Sequence, residues 1–156
     1  MTAPLRPPAL DPSTLPEENR NGYPEPYRAL VSGRFRRRLG DALGLTQFGV
    51  NLTRLEPGAA SAQRHWHYRE DELVYVLEGE LTLVTDAGEQ VLTPGMCAAF
   101  KAGVPDGHHL VNRSDRPAVL LEIGTRDEEE EVAYPDIDLH NGKDGVYLRK
   151  SSGEPW

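Results

Sequence analysis

The 156-residue chain has one cysteine, Cys97, so no internal disulfide can form, and a reducing cytoplasm is the expected compartment. No apolar run approaches the roughly 20 residues of a membrane-spanning helix. The opening Met1-Thr2-Ala3-Pro4 also lacks the basic-then-apolar layout of a secretory leader. Basic charge is scarce, with 17 Lys and Arg against 25 Asp and Glu and a formal net charge of −8. Without a basic face the chain is expected to bind neither nucleic acid nor membrane. The one exception, Arg34-Phe35-Arg36-Arg37-Arg38, reads as a solvated turn or an edge strand that carries charge against aggregation. No internal repeat is visible, and no segment between Leu45 and Gly124 sustains a helical period.

What the chain does have is punctuation. Seven of the 13 prolines (Pro4, Pro7, Pro8, Pro12, Pro16, Pro24 and Pro26) fall in residues 1–26, a segment too poor in apolar residues to fold alone. It is expected to be a loose tail or an extended arm lying on the body or on a neighbouring subunit, with Tyr23 and Tyr27 suited to docking. Residues 27–126 form the expected β domain, with most candidate core residues between Leu45 and Ile123. The predicted strands are Phe48–Leu52, Ala62–His67, Glu72–Leu77, Leu81–Thr85, Val91–Leu92, Met96–Phe100, His108–Asn112 and Ala118–Ile123. Turns at Glu56-Pro57-Gly58, Glu78-Gly79-Glu80, Asp86-Ala87-Gly88 and Thr93-Pro94-Gly95 separate them, the pattern of an all-β sandwich or barrel. Residues 127–156 begin with five acids, Asp127 to Glu131, expected to be a solvated loop. Short edge strands are expected at Tyr134–Leu139 and Gly145–Arg149.

The most informative segment runs from Gly58 to Gly79. His65 and His67 share one face of a strand because side chains alternate, and Trp66 takes the other. A four-residue turn, Tyr68 to Asp71, can return the chain so that Glu72 faces the same interior. Two imidazoles and a carboxylate converging on one point suit a divalent transition metal. Each residue alone has a plainer explanation: a strand histidine is more often a satisfied polar group, and Glu72 sits in the charged stretch Arg69-Glu70-Asp71-Glu72. Its place ahead of an apolar strand, on the face of Val74 and Val76, sets it apart. Cys97 and Tyr75 read as core, and Asn112 as a backbone hydrogen-bonder at a strand end. Arg64 and Arg69 flank the histidines, and solvation is expected for both.

Residues 58–79 resemble the first motif of the cupin superfamily, G-x5-H-x-H-x3,4-E-x6-G, with six residues rather than five after Gly58. Gly95 to Asn112 resembles the second, G-x5-P-x-G-x2-H-x3-N, with Lys101 in place of the proline and two extra residues before His108. Leu39 to Ala42, Gly44 to Leu52 and Glu122 to Arg126 extend the likeness to small single-domain bacterial cupins, some labelled sugar phosphate isomerases by fold analogy. The resemblance implies a double-stranded β-helix (jelly-roll) barrel, usually a homodimer, with a metal inside. It adds His108 to His65, His67 and Glu72 as metal ligand. His109 is the rival for that place, since neighbouring strand residues face opposite sides, and the His108-to-Asn112 spacing favours His108. A three-histidine, one-glutamate set suits Zn, Fe, Mn, Ni or Co. Two functions follow. One is a metal-dependent enzyme on a small polar metabolite, with isomerase-like or oxygenase-like chemistry. The other is a non-catalytic module that binds or senses a small molecule. A cavity holding ionisable groups beyond the four ligands marks the enzyme; apolar groups and neutral donors alone mark the module.

Overall fold

The structure, a computed structural model, describes residues 5–156, so the first four residues of the expected arm lie outside the described residues. Twelve strands run in chain order among them: β1 Arg34–Arg38, β2 Phe48–Leu55, β3 Trp66–His67, β4 Glu72–Glu78, β5 Leu81–Thr85 and β6 Gly88–Leu92, then β7 Cys97–Phe100, β8 His109–Val111, β9 Ala118–Thr125, β10 Val132–Ala133, β11 His140–Asn141 and β12 Tyr147–Leu148. Among the described residues helix is confined to the four-residue α1, Leu39–Ala42, and two single 3-10 turns. The strands form three sheets, ordered β1-β2-β9-β4-β7, β12-β11-β10-β3 and β6-β5-β8. Every pairing is antiparallel, as short strands joined by tight turns require. No helix among the described residues is long and apolar enough to cross a membrane.

Alternation along the inner face divides the interior in two. Going up β4 the inward residues are Glu72, Val74 and Val76; along β9 they are Glu122, Leu120 and Ala118; along β2 they are Asn51, Thr53 and Leu55. One end is therefore apolar. Leu55, Val74, Val76, Leu81, Leu83, Leu92, Leu110, Ala118 and Leu120 form a single buried cluster there. The other end is polar and holds the site.

The outer face of the five-stranded sheet departs from expectation. Phe48, Val50 and Leu52 lie on it, in register with Ile123 and Leu121, while polar Asn51 and Thr53 point inward. Tyr75 and Cys97, expected in the core, pair across β4 and β7 and are exposed. The reason is the same alternation: Val74 and Val76 take the covered face, and nothing among the described residues covers the other.

The turn expected at Gly79 is where only glycine fits. Its φ is +76°, and a Cβ there would lie 2.8 Å from Ala118 Cα and from Pro117 O. Asn112 ties off the far end of β8. It is fully buried, its Nδ2 donates to Leu55 O (2.9 Å) and Arg116 O (2.7 Å), and its Oδ1 accepts from Ser114 N–H (3.0 Å) and Oγ–H (2.7 Å).

The two termini share a second buried cluster of Tyr23, Val31, Tyr134 and Leu139. The arm lies on its own body: Glu18 exchanges two 2.9 Å backbone hydrogen bonds with Arg36 and so covers the edge of β1. Glu17 pairs with Arg54 (2.9 Å) and Arg37 (3.5 Å). The tail strand expected at Tyr134–Leu139 is instead the loop between β10 and β11. Pro135 removes a ladder donor there, and Tyr134 and Leu139 are buried in the second cluster. β12 falls inside the expected Gly145–Arg149.

Candidate metal centre

His65 and His108 are directly opposed in an antiparallel bridge, His65 N–H donating to His108 O (3.1 Å) and His108 N–H to His65 O (2.8 Å). Opposed residues put their side chains on one face, and the two ring centroids lie 4.7 Å apart. Two residues along, His67 shares that face, 5.0 Å from the His65 ring. Glu72 opens β4 beneath them. Its Oε2 lies 2.6 Å from His108 Nε2, 3.3 Å from His67 Nε2 and 3.6 Å from His65 Nε2. Ligand atoms of His65, His67 and Glu72 all lie within 4.8 Å of one another. His109 takes the opposite face, its Nδ1 donating to Ala62 O at 3.0 Å, so of the two rivals only His108 turns to the cluster.

The surroundings orient the rings. His65 Nδ1–H donates to Gln63 O (2.8 Å), which orients the ring with Nε2 turned toward Glu72. Phe100 stacks on His108 at 3.5 Å with ring planes 2° apart. Behind His67, Glu130 Oε1 lies 3.4 Å and Glu70 Oε2 3.8 Å from Nδ1. Both His67 ring nitrogens are buried without a hydrogen bond of good geometry.

The charges are coupled. Burial alone raises the Glu72 carboxyl, but the imidazoles around it, His108 first and then His65 and His67, outweigh burial and hold it well below the usual carboxylate range. Burial acts against a charged His67, yet Glu72, Glu130 and Glu70 together lift its imidazole above the usual value. His108 is pushed down, by burial first and also by the neighbouring His65.

These four residues line one wall of a cavity of about 460 Å3. Groups that sequence reasoning placed in solvent line it too. Arg34 and Arg36 of the basic run face inward, not outward, because β1 alternates, and Arg36 grips Glu122 through Nε–Oε2 (2.8 Å) and Nη2–Oε1 (3.1 Å). The period-two spacing Arg34-x-Arg36-x-Arg38 was the available signal. Glu130, within the acidic run read as solvated, is largely buried and accepts from Tyr68 N–H (2.9 Å) and Arg69 N–H (2.8 Å). Arg64 is not solvated either: it binds Asp136 through Nε (2.6 Å) and Nη2 (2.7 Å), Gly107 O through Nη1 (2.9 Å), and Asp86. Arg69 is exposed, as expected.

An antiparallel β-barrel that collects three imidazoles and a carboxylate at the polar end of its interior defines a class of barrel proteins with a metal-type donor set. A model of the cupin domain family matches residues 51–124. The fold is similar to the crystal structure of a sugar phosphate isomerase of the cupin superfamily from Silicibacter pomeroyi, at 48% identity over 96% of each chain with a TM-score of 0.89. It is also similar to a protein from Acidithiobacillus ferrooxidans provisionally named a sugar phosphate isomerase, at 31% identity over 78% of this chain and 80% of that one, TM-score 0.71. The polyketide cyclase RemF of Streptomyces resistomycificus shares the fold at 20% identity, covering 76% of this chain and 79% of its own, TM-score 0.63. No curated protein matches the chain at a significant level. The chain belongs to the cupin superfamily, and its fold is the double-stranded β-helix of that family.

Proposed function

We propose that the chain is a divalent-metal-dependent enzyme that acts on a small polar metabolite in the manner of a sugar phosphate isomerase. The observation that carries this reading is the convergence of His65, His67, His108 and Glu72 in one polar cavity, with the buried His67 nitrogens lacking a satisfying partner. Three neutral imidazoles and one carboxylate suit Zn, Fe, Mn, Ni or Co. Such an ion supplies Lewis-acid polarisation of a carbonyl or hydroxyl, or oxygen chemistry where it is iron. The chain's own residues supply the rest. Gln63 O orients the His65 ring, Phe100 holds that of His108, and Glu130 backs His67. Ionisable groups beyond the four also line the cavity, Glu122 and Glu70 among them. Glu122 is fixed by Arg36 and by Thr53 Oγ1 (2.7 Å), while burial pushes the Glu70 carboxyl above its ordinary range. They favour the enzyme over a neutral binding module.

The test is elemental analysis of protein purified without added metal. One transition-metal ion per chain is expected; a metal-free protein that takes up none on titration would remove the reading.

Protons and metal compete for the same atoms, so pH is a second probe. In metal-free protein the lowered Glu72 contributes stability above about pH 4.3 that is lost as pH falls through its folded value. The raised His67 contributes fully below about pH 6.5, and that contribution is lost as pH rises through its own folded value. The pair is strongest between. Metal uptake near neutrality is therefore expected to expel protons, and acidification through the histidine range to release the ion. Retention of metal at pH 4 would contradict a three-imidazole site.

The chain is further proposed to act as a homodimer without nucleic-acid or membrane partners. What supports this is the uncovered outer face of the five-stranded sheet, where Leu73, Tyr75, Leu77 and Phe48 are exposed together. Sedimentation at monomer mass would refute it.

A further inference from the structure

Arg34 is the cavity residue that a metal centre leaves unused. Strand alternation sends Arg34, Arg36 and Arg38 to the cavity side of β1, and their partners differ. Arg38 pairs with Glu18 (3.3 Å) and Asp41 (3.9 Å), and Arg36 holds Glu122 with two hydrogen bonds. Arg34 is the most enclosed of the three, 6% exposed, and its Nη1 donates to the Ser61 carbonyl at 2.6 Å. Among the described residues it has no ion-pair partner. Burial, joined by the like charge of Arg36, pushes its guanidinium down to about 10. It therefore stays charged at neutral pH in surroundings that oppose the charge.

A guanidinium offers five donors in a planar fork, and one carbonyl satisfies one of them. Taking such a cation out of water is costly unless an anion answers it. Here no anion among the described residues pairs with it, while the cation lines a cavity open to small molecules. The arm supplies a second unanswered group in the same wall: Asn21 Oδ1 is buried without a hydrogen-bond partner and suits a ligand hydroxyl. We infer that Arg34 is the anion-binding residue of this cavity, pairing with the phosphate or carboxylate of a small hydroxylated ligand whose other end meets the His65, His67, Glu72 and His108 cluster. The fork matches two oxygens of either group, which a lysine cannot do. This rests on the reading of the cavity as the ligand site of a metal centre, and it adds the ligand's charge to that reading.

The probes are inorganic phosphate and malonate, compared with chloride at constant ionic strength. Binding to the full chain is read by calorimetry and thermal shift, with metal content measured on the same samples. Wild-type protein is expected to bind at least one probe and to melt higher in it, and the stronger of the two identifies phosphate or carboxylate as the natural group. Arg34→Met is expected to weaken that binding by at least about tenfold and to abolish the thermal shift. Without anion it is expected to melt no lower than wild type, because the uncompensated charge is gone. Arg38→Met, which alters a cation already paired by Glu18 and Asp41, is expected to bind as wild type does. Arg34→Lys keeps the charge without the fork, is also expected to bind more weakly, and decides the matter should the methionine variant not fold. Wild-type protein that binds neither probe, or an Arg34 variant that binds as wild type does, overturns the proposal. A metal-loaded wild type with no anion response sinks the role of Arg34 alone. An Arg34-dependent response in protein that binds no metal sinks the metal reading alone.

Discussion

A His65→Ala/His67→Ala chain is expected to bind metal at least about 100-fold more weakly than the parent, since even the groups that merely orient ligands are worth about 10–100-fold. The ion binds the folded state, so at about 100 times its dissociation constant it stabilises by roughly 2.7 kcal/mol. Losing that stabilisation lowers the melting temperature by about 5–10 °C in a chain of this size. The two losses are expected together, because both come from Nε2 atoms that face Glu72 at 3.6 Å and 3.3 Å. Adding a chelator is expected to bring the parent down toward the variant. An unchanged metal stoichiometry would show that these imidazoles are not ligands.

The second large effect is structural and leaves the metal alone. Asn112 makes four side-chain hydrogen bonds in a fully buried position, to Leu55 O, Arg116 O and two groups of Ser114. Asn112→Ala strips a partner from each, and buried orphans cost about 1–3 kcal/mol apiece where water cannot replace the bond. Partial rehydration of the Ser114 turn reduces the sum, and a loss of about 3 kcal/mol is expected, a fall of about 6–12 °C. Metal stoichiometry of the folded variant is expected to stay that of the parent. A melting temperature within 2 °C of wild type would mean the knot at the end of β8 is not structural.

The antiparallel barrel and the convergence of His65, His67 and Glu72 were legible because they depend on short-range rules, whereas His108 was added by the resemblance of the second motif. Period two puts His65 and His67 on one face, and glycine-marked turns bring Glu72 beneath them. Asn112 was legible for the same reason, as a polar residue at a strand end. What could not be read depends on which face of a strand is covered. Phe48, Val50 and Leu52 look like the inner set of β2, yet Asn51 and Thr53 take the interior because a polar cavity, not a core, lies opposite them. Tyr75 and Cys97 were misplaced by the same ambiguity, and so were Arg34 and Arg36, which turn inward to meet Ser61 and Glu122 from distant segments. Tyr23 was read as a docking residue of the arm and Tyr134 to Leu139 as an edge strand, but not as one core, because each terminus is too polar to suggest a core and only their pairing makes one. Glu130 sat in a run of five acids, and nothing local sets it apart; β10 pairing with β3 brings it behind His67.

Anomalous diffraction from crystals of the protein loaded with one divalent transition metal tests the central claim most directly. The account predicts a single strong peak about 2.0–2.2 Å from imidazole nitrogens of His65, His67 and His108 and from an oxygen of Glu72. A peak held by other residues, or no peak in the barrel at full metal loading, would contradict it.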